Sequence, residues 1–341
     1  MSLLSLSHSL TPAEMVQWTI RIYTRYLPQW IMLTLLALIV PLALGAVAVS
    51  MQSDIDPALL DRLRQPLDPT APDSPLNDPA FLQQMTDFFI RQGVMALLLG
   101  AVSILMQQVV LGGAGAVLAS AAFHGRSASL GEALRVLGER AGALLTGHLI
   151  VIGLLIALLL ISSLGLLICV GVLGLALLPY LYLAGVPLLA PVLALERGPL
   201  STLLRRAWQF GKRRVWLLLA AVVVLAVWAF VVEFVVGLVG GLFLGPVLNG
   251  TGTAAVLAGQ VLTFISAVVV LPPGAIFYTL LYEDSRMRFA PQVVEEALPM
   301  EEPLLAAADV PNMIGVAVVA GSVLVGMYFV LMVLGMFAGL F

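Results

Sequence analysis

Three kinds of side chain in this 341-residue sequence could do chemistry inside an apolar medium. Glu233 is a carboxylate within the long apolar run 215–240, and an ionisable group there is a functional suspect, as a proton carrier or substrate contact. It follows Arg214 by nineteen residues, about 28 Å along a helix. That spacing puts it near the far interface, where ion pairing or contact with water accounts for it as well. Gln107 and Gln108 sit deeper in another apolar run, where they either bond to neighbouring helices or line a polar cavity. His148 falls about a turn inside a third run, where one structural hydrogen bond satisfies it.

No familiar reactive set emerges from these residues. His8, His124 and His148 are not at metal-ligand spacing with one another or with Cys169, the single cysteine. There is no nucleophile elbow and no phosphate-binding Gly-Lys-Ser/Thr loop. A Ser–His–Asp set assembled by the fold stays open. We otherwise expect no catalytic residue, no metal and no cofactor.

Charge is the other candidate chemistry. Arg205, Arg206, Lys212, Arg213 and Arg214 crowd into one stretch, and Arg135 and Arg140 into another. At an anionic lipid surface each such cation contributes about 1 kcal/mol. The same residues can serve simply as topology determinants. Membrane phospholipids are the expected partners, and nucleic acid is not.

These residues must be positioned by membrane helices. Hydrophobic residues make up 61% of the chain and charged ones 10%, against about 25% charged in a soluble domain. A soluble globule could not hide so much apolar surface, so lipid must solvate much of it. Several apolar runs exceed the ~20 residues that a transmembrane helix needs. The expected fold is all-α: a polytopic membrane helix bundle of about seven transmembrane helices. They are read at 29–49, 92–121, 143–161, 164–195, 215–240, 254–281 and 313–340, the fourth broken or kinked by Pro179, Pro187 and Pro191 and the sixth kinked at Pro272-Pro273. An acidic, Pro-rich loop occupies 50–92, with short helices at 57–63 and 79–89. A tight turn is read at Ser162-Ser163, a Gly-rich link at 241–253 and an acidic linker at 282–312.

Three amphipathic segments precede helix pairs. Thr11-Pro12-Ala13-Glu14 is a capping box, followed by a face of Met15, Trp18, Ile22 and Tyr26. Ser129 and Glu132 form another box, ahead of a stripe of Leu130, Ala133, Leu134, Leu137 and Ala141. Pro199 starts the third, with Leu200, Leu203, Leu204, Ala207 and Trp208 on one face and Arg205, Arg206, Gln209, Lys212 and Arg213 on the other. We read each as an interfacial helix, which divides the membrane domain into units 10–121, 129–195 and 199–281. Alternating connections leave Arg62, Arg64 and Arg91 on one side and the other thirteen of the sixteen cations opposite. The thirteen-cation side is then cytoplasmic, with the N-terminus; the acidic loop and the C-terminus face outward, in an inner-membrane protein. No removable signal peptide is expected, the first membrane helix acting as the insertion signal.

Two stretches carry a family resemblance. Pro191 to Phe210 (PVLALERGPLSTLLRRAWQF) and Ala275 to Arg288 (AIFYTLLYEDSRMR) resemble conserved-pattern segments of the bacterial glycerophosphoryl diester phosphodiesterase membrane-domain family. Arg206 stands where Ser is usual there, Glu283 in place of a second Tyr and Ser285 in place of Leu. The resemblance spans about residues 10–290 and implies the membrane part alone. The phosphodiesterase activity of the family belongs to a separate soluble barrel, which needs at least ~200 residues, and no aqueous stretch here approaches that. The function expected is non-catalytic, in envelope or lipid-related organisation. The alternatives are a transporter or permease component for a lipid or small solute, and, third, an enzyme acting on lipid head groups.

Overall fold

A computed structural model describes residues 10–52, 78–165, 171–248, 253–289 and 305–323, and every regular element among them is helical. In order they are α1 (Pro12–Arg25), α2 (Leu27–Gln52), α3 (Pro79–Met106), a π-helical segment (Gln107–Ala114), α4 (Gly115–Phe123), α5 (Leu130–Gly165), α6 (Gly171–Gly185), α7 (Leu189–Leu195), α8 (Leu200–Arg213), α9 (Val215–Leu248), α10 (Thr253–Phe289), a 3-10 turn (Ala307–Asp309) and α11 (310–323). Among the described residues, six helical stretches are long and apolar enough to cross a membrane: α2, α3 through α4, α5, α6 with α7, α9 and α10. The chain is an all-α, multi-pass membrane bundle. Of the seventh expected span only the part up to residue 323 is described; the short helix read at 57–63, the middle of the acidic loop and His8 lie outside the described residues.

Several elements run further than charge and small-residue content implied. Asp87 and Arg91 sit inside α3, which is continuous from Pro79, so the expected break at 89–92 is absent. The Ser129 segment is the start of α5 rather than a separate interfacial helix. At 36 residues, α5 is about 54 Å long, well beyond a ~30 Å hydrocarbon layer, so its charged first turns can stand outside. It also runs through Ser162-Ser163, where the Ser163 hydroxyl donates to the Leu159 carbonyl at 2.8 Å instead of opening a turn. Likewise α9 continues through Gly240 and Gly241 to Leu248, and α10 takes in Tyr282–Phe289. A charge or a glycine ends an apolar count, whereas a helix stops at a cap or a proline that its surroundings cannot accommodate.

Where prolines do interrupt, the outcomes differ. Pro187 ends α6: Val186 N–H still reaches the Tyr182 carbonyl at 2.9 Å, the chain turns, and α7 restarts at Leu189. Of the three prolines read as breaking or kinking 164–195, Pro187 is a break, whereas Pro179 lies inside α6 and Pro191 inside α7. By contrast α10 is one continuous helix across Pro272-Pro273. Each proline lacks the N–H that would reach the carbonyl four residues back, which orphans Val268 and Val269. The Tyr23 hydroxyl donates to the Val268 carbonyl at 3.2 Å, and Trp228 Nε1 donates to the Val269 carbonyl at 3.3 Å. Neighbouring helices therefore supply both missing donors, as a dry membrane interior requires.

The two separate amphipathic helices bury their apolar faces on protein. Thr11 and Glu14 cap α1 reciprocally, with the Thr11 N–H donating to Glu14 Oε2 at 2.8 Å and the Glu14 N–H to Thr11 Oγ1 at 3.3 Å. Met15 and Ile22 then vanish against the bundle, chiefly α10. On α8, Leu203, Ala207 and Phe210 are buried, and α6 passes so close that a Cβ on Gly211 would collide with the Ala184 carbonyl oxygen. In these helices, read as interfacial, much of the apolar stripe is a protein-packing face. Amphipathic spacing shows that a partner exists, not whether it is lipid or helix.

Candidate functional site

Three irregularities of the helix ladder converge on one cavity. The π-helical segment supplies Gln107, Gln108, Leu111 and Gly112; the α6–α7 break supplies Tyr182, Pro187, Ala190 and Pro191; α10 around its proline pair supplies Val270, Leu271, Gly274 and Tyr278; α9 closes the wall. The cavity is partly open and its volume is about 310 Å³, at the small end for a ligand pocket. π-helical turns are rare and gather at functional positions. Small residues let this one form here: a Cβ on Gly112 would sit 2.6 Å from the Ala190 Cβ, so π segment and α7 touch almost backbone to backbone.

The polar groups of the lining are two amides and two phenols. Gln107 Nε2 donates to Ser103 Oγ at 3.0 Å, one turn back, which holds its side chain in place. Tyr182 is 41% exposed and sits at the rim, with Tyr278 on the facing helix α10. Among the described residues no Asp, Glu, Lys or Arg lines the space. Such a set can donate and accept hydrogen bonds, but it offers no counter-ion and no strong nucleophile.

A second cluster ties the bundle together at its arginine-rich end. Four successive residues of α10, Tyr282 to Ser285, are buried. The Tyr282 hydroxyl donates to Glu196 Oε1 at 3.0 Å, in the loop between α7 and α8; Arg206 donates to the other oxygen of Glu196. Glu283 accepts the Ser120 hydroxyl at 2.6 Å and lies 3.4 Å from His124 Nε2, both at the end of α4. Asp284 is fully buried and accepts from Arg214, from Arg288 Nε at 2.9 Å and from the Leu10 N–H at 2.8 Å. Phe289 is stacked with Phe210 at 6.3 Å and lies beneath Arg213 and Arg214. One helix end thus grips α4, the α7–α8 loop, the α8–α9 junction and the start of the chain.

The sequence-derived candidates separate into distinct places. Gln107 and Gln108 lie in the cavity. Glu233 is exposed on the outer face of α9 and does not line it. His148 is fully buried on α5; its Nδ1 is 2.8 Å from the Leu144 carbonyl, so Nδ1 carries the proton and Nε2 is left as a buried acceptor. Arg135 and Arg213 are exposed, while Arg140 and Arg205 are half-buried. Arg206, Lys212 and Arg214 are engaged with carboxylates of the chain itself, Lys212 with Asp309 at 2.8 Å. Sequence reasoning missed Tyr182 and Tyr278 in the cavity, and Glu196, Glu283 and Asp284 in the cluster. The signal for the cluster was a run of polar residues closing an apolar helix, which was assigned to a linker. Among the described residues no group of His, Cys, Asp and Glu is placed to hold a metal ion.

No protein family, curated protein or solved structure matches this chain.

Proposed function

We propose that this membrane protein is non-catalytic and serves lipid-related organisation of the envelope, by holding an amphipathic molecule in the cavity between the π-helical segment, the α6–α7 break and α10. The observation that carries the proposal is the convergence of three helix irregularities on one space with a few polar groups in apolar walls, the general form of a ligand site. Exposed cations such as Arg135 and Arg213 would meet anionic head groups at the arginine-rich end, which we assign to the cytoplasmic side of the inner membrane. A relation to the membrane part of the glycerophosphoryl diester phosphodiesterase membrane-domain proteins remains a proposal; its support is that both resembling stretches meet, through Tyr282 and Glu196.

The test is native mass spectrometry of the protein released from bilayers. Retained lipid that is lost on filling the cavity, through Gly274→Leu, supports the reading. Unchanged retention in that variant sinks it. A second reading, transport of a lipid or small solute, is favoured by the discontinuous helix at the cavity wall, a device that lines binding sites in transporters. Flux in proteoliposomes that Gln107→Leu abolishes without unfolding would select it.

A further inference from the structure

We infer that the cavity selects an uncharged, hydroxyl-bearing head group on an apolar chain, and turns away phosphate-bearing lipids. The inference rests on the cavity-binding reading above and adds the chemical class. Its first ground is the lining. Gln107, Gln108, Tyr182 and Tyr278 provide amide N–H and O–H donors beside amide oxygen and phenol oxygen acceptors. A hydroxyl needs both kinds of partner at once, whereas a phosphate can use only donors and requires a positive charge when it is taken out of water.

The second ground is where the cations are. Arg206, Lys212 and Arg214 are engaged with Glu196, Asp309 and Asp284. Arg214 precedes the first α9 residue of the lining, Val222, by eight positions, about 12 Å along the axis. An anion in the cavity would therefore be held at a distance from Arg214, with Arg206 and Lys212 already facing carboxylates of the chain, in a wall of Leu111, Val222, Leu225 and Leu271. An uncharged polyol, glycerol ester or prenol head loses nothing by that separation.

The third ground is size and access. About 310 Å³ admits a small head group and the first part of a chain, and leaves the rest outside. The exposed rim residue Tyr182 marks the way out, and α9 beside it presents Val224, Val227 and Trp228 to the surroundings. The chain of the bound molecule would lie along this apolar face.

The test reconstitutes the full chain in nanodiscs with photoactivatable diacylglycerol or photoactivatable phosphatidic acid, which share their acyl chains and differ by the phosphate. Cross-linked peptides are located by mass spectrometry. Diacylglycerol labelling peptides of the π segment and α10, reduced about fivefold for each hydrogen bond removed by Gln108→Leu or Tyr278→Phe, supports the inference. Tyr278→Phe keeps the ring, so it guards against loss through misfolding. Equal or stronger labelling of the same peptides by phosphatidic acid overturns the head-group selection and leaves the binding reading standing. Absence of label from both lipids at these peptides overturns the two together.

Discussion

The Tyr23 hydroxyl reaches the Val268 carbonyl at 3.2 Å, and that carbonyl is the acceptor Pro272 leaves without a helical donor. Trp228 does the same for Val269, orphaned by Pro273. A proline pair that would otherwise break a membrane helix is thereby kept inside a continuous one, with two other helices tied to its weakest point. The cavity lies beside this repair, since Val270, Leu271 and Gly274 are among its walls.

Removing one repair should be measurable. Tyr23→Phe keeps the ring and leaves the Val268 carbonyl unpaired, at a cost of about 1 kcal/mol. Trp228→Phe should cost a similar amount. Thermal melting in detergent reads both; if neither substitution lowers the midpoint, the orphaned carbonyls need no side-chain partner.

Asp284 offers a larger effect. It is fully buried with Arg214 and Arg288 as partners. Asp284→Asn leaves a largely buried Arg214 without its counter-charge and should cost about 3–5 kcal/mol. The paired replacement Asp284→Leu with Arg214→Met should recover much of that, because neither charge is then stranded. A double variant as unstable as the single one would show that the carboxylate's bonds to Leu10 and Arg288 matter more than the pair with Arg214.

Gly112 tests the close approach of the π segment to α7. Its Cβ would lie 2.6 Å from that of Ala190, and neither atom is the end of a flexible side chain. Gly112→Ala should destabilise by about 1–3 kcal/mol through overpacking and disturb lipid retention. Gly138→Ala, in open space on α5, is the control and should be neutral or slightly stabilising. Equal melting of both variants would refute the tight contact.

Acid should release the C-terminal segment. Burial opposes ionisation of Asp309, yet Lys212 and the Ala306 N–H outweigh it and hold its carboxyl below the ordinary 3.8. A depressed pKa stabilises the docked state above that ordinary value, and the contribution is lost as pH falls through the lowered one. Hydrogen exchange over 306–323, corrected for intrinsic rates, should therefore lose protection as pH falls below 3.8 and through the depressed value. Asp309→Asn should show the lower protection already at neutral pH and no acid step. A step that survives in that variant would assign it to another group.

The class of this protein was legible from composition alone, because so apolar a chain has no soluble way to hide its surface. The caps at Thr11 and Asp78 and the restart near Pro199 are local events, set by side chains within a few residues of the backbone they satisfy, and so could be read or nearly read from spacing. The continuation of helices through Arg91, Ser163 and Gly241 could not, because a helix tolerates charges and glycines when its neighbours hold it. The same limit applies to the prolines. Pro187 breaks its helix while Pro272-Pro273 does not, and at that pair other helices bring Tyr23 and Trp228 to the freed carbonyls, partners that no local spacing announces. Gln107 and Gln108 were visible as polar residues in an apolar run, but Tyr182 and Tyr278, some 75 and 171 positions away from Gln107, join them only through packing. Asp284 and Glu283 read as linker residues because their partners, Arg214, Leu10, Ser120 and His124, are distant in the chain. Sequence set the membrane and the helices; only the fold could set which buried charge meets which, because those pairings are made across the bundle and leave no periodic trace along any one helix.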